Sequence, residues 1–127
     1  MLWMAVMRVI KVLLVDDSPE FRKLLGRLLR GLGFEIAASV GSGEEALQFL
    51  ASEHPDVVIL DIAMPGLNGL ETAQRIRARC ADVKLLILSL HATPEYRQAA
   101  AAIGVDAYVC KSNLVPELPR VLAELSA

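Results

Sequence analysis

The sequence predicts an α/β domain, a parallel sheet of five strands with helices on both faces. Three observations carry that prediction. Short apolar runs alternate with stretches of helical periodicity through short connections, the pattern of right-handed crossovers between parallel strands. The run Val57-Val58-Ile59-Leu60 is apolar without alternation, as in a strand covered on both faces. Finally, 54% of the 127 residues are hydrophobic, yet no run approaches the roughly 18 residues that cross a bilayer.

Residues 9–15 form the first predicted strand, and Asp16-Asp17 follow it. Ser18 supplies an N-cap and Pro19 fits the first turn of a helix reaching about residue 30. Phe21, Leu24, Leu25, Leu28 and Leu29 recur at helical spacing as its inner face, Arg22, Lys23, Arg27 and Arg30 make the wet face, and Gly31 and Gly33 end it. Residues 34–40 are a second strand. Ser42-Gly43-Glu44-Glu45 has capping-box spacing for a helix carrying Ala46, Leu47, Phe49 and Leu50. His54-Pro55 leads into the third strand, which ends on Asp61. A loop over 65–69 precedes a helix with Leu70, Ala73 and Ile76 inward, stopping near Cys80. Residues 84–89 are the fourth strand. Thr93-Pro94 opens an Ala-rich helix that Gly104 stops. Residues 107–110 are a short fifth strand, and Lys111-Ser112-Asn113 lead into a last helix with Leu118, Val121, Leu122 and Leu125 at helical spacing. Pro116 and Pro119 are tolerable only near its start.

Composition narrows the function classes. The length suits one domain with a core of its own. Net charge is −2, with both signs spread along the chain, so no basic stripe offers a surface for nucleic acid. Residues 1–8 read as an N-terminal extension and 9–127 as the domain. Arg8 and Lys11 interrupt the only candidate targeting stretch, which predicts a cytoplasmic protein without a membrane partner. Cys80 and Cys110 lack metal-ligand spacing and are too few for a disulfide framework.

Strand ends carry the chemistry. Asp16-Asp17 follow the first strand, Asp61 ends the third, Ser89 ends the fourth and Lys111 follows the fifth. In a parallel sheet all of these reach the carboxyl edge, where open α/β sheets bind ligands. Converging carboxylates repel unless a cation neutralises them. An all-oxygen donor set with few carboxylates suits Mg²⁺ better than Ca²⁺. A cation, a lysine and a hydroxyl around one carboxylate amount to apparatus for a phosphoryl group, with Asp61 as nucleophile.

On these residues the chain resembles the receiver domains of two-component response regulators. The resemblance rests on Asp16-Asp17, on Asp61-Ile62-Ala63-Met64-Pro65-Gly66 with Gly69 following, and on Ser89, Tyr108 and Lys111. It implies a flavodoxin-like, doubly wound sheet in strand order 2-1-3-4-5. It implies that Asp61 accepts a phosphoryl group from a histidine kinase or phosphotransfer protein, as substrate and slow self-hydrolase rather than turnover enzyme. Asp17 would bind Mg²⁺ directly and Asp16 through water, with Asp61 and the Ala63 carbonyl as further ligands. Lys111 would pair with Asp61 at rest and with the phosphoryl group afterwards. Ser89 would swing toward that group, Tyr108 would turn inward, and the surface over the fourth helix, fifth strand and fifth helix would change, with homodimerisation on activation as one outcome. Ser112 stands where many receivers have a proline in a cis peptide, which predicts a trans bond here. That Lys-Ser pattern resembles receivers that precede a helix-turn-helix output domain.

Two other readings compete. Gly41-Ser42-Gly43-Glu44-Glu45-Ala46 matches a dinucleotide-binding G-x-G-x-x-A, although Glu44 and Glu45 put negative charge where a pyrophosphate needs positive potential. The fold could also serve as a phosphorylation-independent scaffold. Singly, Asp16-Asp17 could be turn chemistry, Tyr108 a core-edge aromatic, and His54 and His91 solvent-facing loop residues.

Overall fold

The computed structural model describes residues 9–62, 69–90 and 93–126. Among these residues five strands, β1 (Lys11–Val15), β2 (Glu35–Val40), β3 (Val57–Asp61), β4 (Lys84–Ser89) and β5 (Ala107–Cys110), alternate with five helices. The helices are α1 (Pro19–Gly31), α2 (Gly43–Leu50), α3 (Gly69–Arg79), α4 (Pro94–Ile103) and α5 (Leu114–Leu125), and a single 3₁₀ turn (Lys111–Asn113) leads into α5. All strand pairs are parallel, in the order β2-β1-β3-β4-β5. The flavodoxin-like α/β architecture is therefore present, with the strand order the resemblance implied.

Side-chain alternation along the strands divides the interior into two cores. Leu13, Val15, Val58, Leu60, Leu85 and Ile87 pack with residues of α2, α3 and α4. Val12, Leu14, Val57, Ile59, Leu86, Leu88 and Val109 pack with α1 and α5 through Leu25, Leu29, Leu118 and Leu122. This is why β3 reads as an unbroken apolar run: every residue in it is buried.

The helix ends follow their caps. Ser18 Oγ accepts the Phe21 N–H at 3.2 Å, and Thr93 Oγ1 accepts that of Tyr96 at 3.4 Å. Ser42 Oγ accepts the Glu45 N–H, while Glu45 Oε2 reaches past the cap to the Gly41 N–H at 2.8 Å. Gly104 closes α4 with φ of 94°. In α1 the helix runs through Gly31, and it is Gly33, at φ 95°, that takes the left-handed turn; its neighbour Phe34 donates back to the Leu29 carbonyl.

Two expectations are corrected. Leu24 is 62% exposed, because the inward stripe of α1 is narrow and centres on Leu25 and Leu29. Pro119 lies inside α5 rather than at its start. Its ring deprives only the Val115 carbonyl of a helical partner, and Val115 is exposed, so water can satisfy that oxygen.

One guanidinium pins the amino-terminal edge of β4. Arg77, in the last turn of α3, donates to the carbonyls of Ala81 (3.0 Å), Val83 (2.9 Å) and Gly104 (3.1 Å), and to Asp106 Oδ2 (2.8 Å). Asp106 Oδ2 also accepts the Leu85 N–H at 2.8 Å. The loop after α3 and the loop after α4 are thus tied through one planar fork. Replacing Arg77 with alanine is expected to destabilise the fold by about 2 kcal/mol, seen as a lower urea midpoint at unchanged slope. Lysine at this position should recover only part of that loss.

Candidate functional site

Of the strand ends predicted to converge, Asp16, Asp17, Asp61 and Lys111 meet, and alternation explains how. Carried one residue further, the pattern that puts Val12 and Leu14 in the α1/α5 core leads to Asp16, and that of Val57 and Ile59 leads to Asp61. The step from Val109 leads to Lys111. The two carboxylates and the lysine therefore share one face of the sheet edge, whereas Ser89 continues the opposite face, after Leu85 and Ile87. Asp16 and Asp61 are 3% and 5% exposed, and Asp17 is open to solvent.

Asp16 is fixed on every side. Its N–H donates to the Val40 carbonyl of β2 at 3.1 Å, and its Oδ1 accepts the Ser18 N–H at 2.9 Å. Its own carbonyl accepts a hydrogen bond from the Arg22 guanidinium. The turn that places this acid is thus the turn that starts α1. Lys111 Nζ donates to Asp16 Oδ2 at 2.8 Å and lies 3.5 Å from Asp61 Oδ2. The lysine reaches Asp61, as the resemblance implied, but its shorter bond goes to Asp16. Phe21 lies beneath it, with the ring centroid 4.2 Å from Nζ. By its spacing Phe21 reads as packing alone; its place in the first turn of α1, four residues after Asp17, is the signal that could have found it.

Asp16, Asp17 and Asp61 each offer an oxygen, and these oxygens lie within 4.8 Å of one another. Opposite ligands of an octahedral Mg²⁺ stand about 4.2 Å apart, so the cluster needs only small side-chain adjustments to enclose one. The donor set is hard and all-oxygen, and it fits that ion.

Ser89 is buried at the end of β4, in register with Cys110 of β5. Tyr108 is half-buried on the α4 side of β5, where the Arg97 guanidinium stands 4.8 Å from its ring centroid; Arg97 had no signal in the sequence. Ala63, the rest of the segment to Gly66, and His91 lie outside the described residues. Gly69 does not, and its role is steric. Its N–H donates to the Ile62 carbonyl at 3.0 Å, and a Cβ there would come within 2.2 Å of Ile62 Cα and 2.5 Å of the Asp61 carbonyl oxygen. Only glycine lets the start of α3 lie this close to the acid-bearing strand end.

The dinucleotide reading fails on geometry. The Gly41 N–H that would cradle a phosphate already binds the Glu45 carboxylate, and Ser42 is occupied as the cap of α2. Beside the acidic pocket, Cys110 is a free, half-buried thiol with Sγ 3.0 Å from Ser112 Oγ. The hydrogen bond from the Ser112 side chain, helped by the Ser112 backbone and the Arg97 charge, lowers the thiol below its ordinary range.

Comparison with known proteins gives a consistent result. The family model described as the response regulator receiver domain matches residues 12–123. The transcriptional regulatory protein PrrA of Mycobacterium tuberculosis is 39% identical over 117 residues, 92% of this chain and 47% of PrrA; the chain spans about half the length of the curated relatives it matches. A LuxR-family DNA-binding response regulator structure from Staphylococcus aureus superposes with a TM-score of 0.87 at 32% identity, over 94% of this chain and 100% of that one. The response regulator TrrA of Thermotoga maritima, in complex with Mg²⁺-BeF, gives 0.83 at 39% identity over 92% and 99% of the two chains. TrrA in complex with the histidine kinase ThkA gives 0.83 at 38% identity over 94% and 100%.

Two measurements check this geometry. Gly69→Ala forces the Asp61–Ile62 backbone to move and is expected to cost about 1–3 kcal/mol of stability, visible in a urea melt, with the Asp61 amide shifted in an NMR spectrum. Because the Ser112 hydroxyl favours the Cys110 thiolate, Ser112→Ala should move the half-rise of Cys110 alkylation to higher pH. Site-resolved iodoacetamide labelling from pH 6 to 10 reads this directly.

Proposed function

Because the chain belongs to the response-regulator receiver-domain family, we propose that it is a phosphoacceptor switch of two-component signalling, with Asp61 as the acceptor. The observation that carries this reading is the meeting of Asp16, Asp17 and Asp61 with Lys111 at the carboxyl edge of the sheet. In the transfer, an Asp61 carboxylate oxygen attacks the phosphorus of a phosphohistidine on a histidine kinase or phosphotransfer protein. An O–P bond forms, the N–P bond breaks, and the imidazole leaves with the bonding pair. Lys111, already between Asp16 and Asp61, is placed to follow the negative charge onto the phosphoryl oxygens, and the Ser89 hydroxyl donates to one of them. Asp17, Asp61 and the Ala63 carbonyl, with Asp16 through water, are the groups assigned to Mg²⁺, which supplies further positive charge when bound. The complexes of TrrA with Mg²⁺-BeF and with its kinase support both the metal and the partner.

The output is a population shift. Ser89 moving toward the new phosphoryl group lets Tyr108 leave its place beside Arg97 and turn inward, altering the surface formed by α4, β5 and α5. Reversing a hundred-to-one equilibrium takes on the order of 5 kcal/mol, and two or three charge-assisted hydrogen bonds at about 1.5–3 kcal/mol each supply it. That surface would engage an output domain, a downstream protein or a second copy of the chain. Return to rest follows from slow attack by water on the acyl phosphate, so the domain is a timed acceptor working in the cytoplasm rather than a turnover enzyme.

Incubation with acetyl phosphate and Mg²⁺ should add one phosphoryl group by intact mass, and EDTA or Asp61→Asn should abolish the addition. Continued labelling of the asparagine variant would sink the assignment.

A further inference from the structure

We propose that Phe21 is a positioning residue for Lys111, its ring holding the ammonium over the acidic pocket when the lysine gives up Asp16; the functional part of this inference rests on Asp61 being the phosphoacceptor. The argument begins with a conflict between two cations. Lys111 donates its short hydrogen bond, 2.8 Å, to Asp16 Oδ2, and Asp16 is one of the three carboxylates that can surround a metal. A divalent ion entering the cluster therefore competes with the ammonium for the same acid. The ammonium cannot simply let go. Its side chain is 13% exposed, and a charge left unpaired in so dry a place is costly.

Two alternatives to Asp16 lie within its reach. One is Asp61, 3.5 Å away, which is itself a metal donor and the group to be phosphorylated. The other is the face of Phe21, at 4.2 Å. The ring attracts a cation through its quadrupole yet carries no charge and donates no lone pair to a divalent ion. It therefore holds the lysine without competing for the metal and without drawing it away from Asp61. Phe21 is also well anchored for this task. Its N–H is tied to the Ser18 cap, and it packs beside the core that contains Leu25 and Leu29. The cap that starts α1 thus fixes the acidic turn on one side and the ring on the other.

The test uses the whole chain and two readouts. In NMR spectra of the wild type, the Lys111 ε-methylene protons should resonate upfield of the other lysines through the ring current of Phe21. Phe21→Leu, which keeps an apolar side chain in place, should abolish that displacement, and Phe21→Tyr should keep it. At saturating Mg²⁺, labelling by acetyl phosphate should slow about fivefold in Phe21→Leu, equivalent to about 1 kcal/mol, and recover in Phe21→Tyr. If Phe21→Leu loses its dispersed spectrum, Phe21→Met takes its place. Absence of the upfield shift in the wild type, or wild-type labelling rates in the leucine variant, overturns the inference. Failure of the wild type to be labelled at Asp61 would instead overturn the phosphoacceptor reading, and the ring-current measurement would still decide whether the ring holds the lysine.

Discussion

Two carboxylates almost wholly removed from water, Asp16 and Asp61, are made tolerable by one ammonium between them. A buried charge without a partner costs several kcal/mol, so the carboxyl edge of this sheet is stable only while β1, β3 and the turn after β5 stay in register. The rest of the site is subordinate to that constraint. The Ser18 turn orients Asp16, Gly69 allows the chain leaving Asp61 to be crossed at close range, and the 3₁₀ turn after β5 sets the height of Lys111. Among the described residues no buried side-chain nitrogen or oxygen lacks a hydrogen-bond partner, so the polar edge is satisfied as completely as the two apolar cores are filled.

The sheet separates two tasks by face. On the α1/α5 side lie the acids, the lysine and the ring beneath it. On the α4 side lie Ser89, Tyr108 and Arg97. A chemical event on the first face can reach the second only at the strand ends, where β3, β4 and β5 are adjacent, and this gives the proposed signal a short physical route. Arg77 holds the amino-terminal ends of β4 and β5, tying the loops that lead into them. Movement at the carboxyl edge therefore has a fixed end to work against.

Much of this was legible in the chain because it depends on local rules. Strand ends reach one edge wherever a sheet is parallel, so Asp16, Asp17, Asp61 and Lys111 could be brought together, and Ser89 set at the same edge, without coordinates. Caps at Ser18, Ser42 and Thr93 and the stop at Gly104 obey short-range chemistry. What escaped depends on direction across elements. Leu24 has the spacing of a core residue but lies past the edge of the narrow inward stripe. Pro119 sits within a helix, where the carbonyl it orphans belongs to the exposed Val115. Phe21 under Lys111 and Arg97 over Tyr108 are contacts at ring faces, which no spacing rule encodes, and the shorter approach of Lys111 to Asp16 than to Asp61 is a difference that strand order does not set. The resemblance gave the lysine a partner, but the register decides which oxygen is nearer.

The distance along the chain between Asp16 and Lys111, 95 residues, bears on how the molecule comes into being. Its central pairing, β1 with β3, already spans about forty-five residues, the kind of non-local contact that slows folding. The neutralising charge is added later still, with the last strand. Until β5 and the turn after it dock, pairing β1 with β3 brings two like charges together without their counterion, which opposes that pairing. The carboxyl edge is therefore complete only once β5 and the turn that carries Lys111 have docked, which makes the polar site the last part of the sheet to be satisfied.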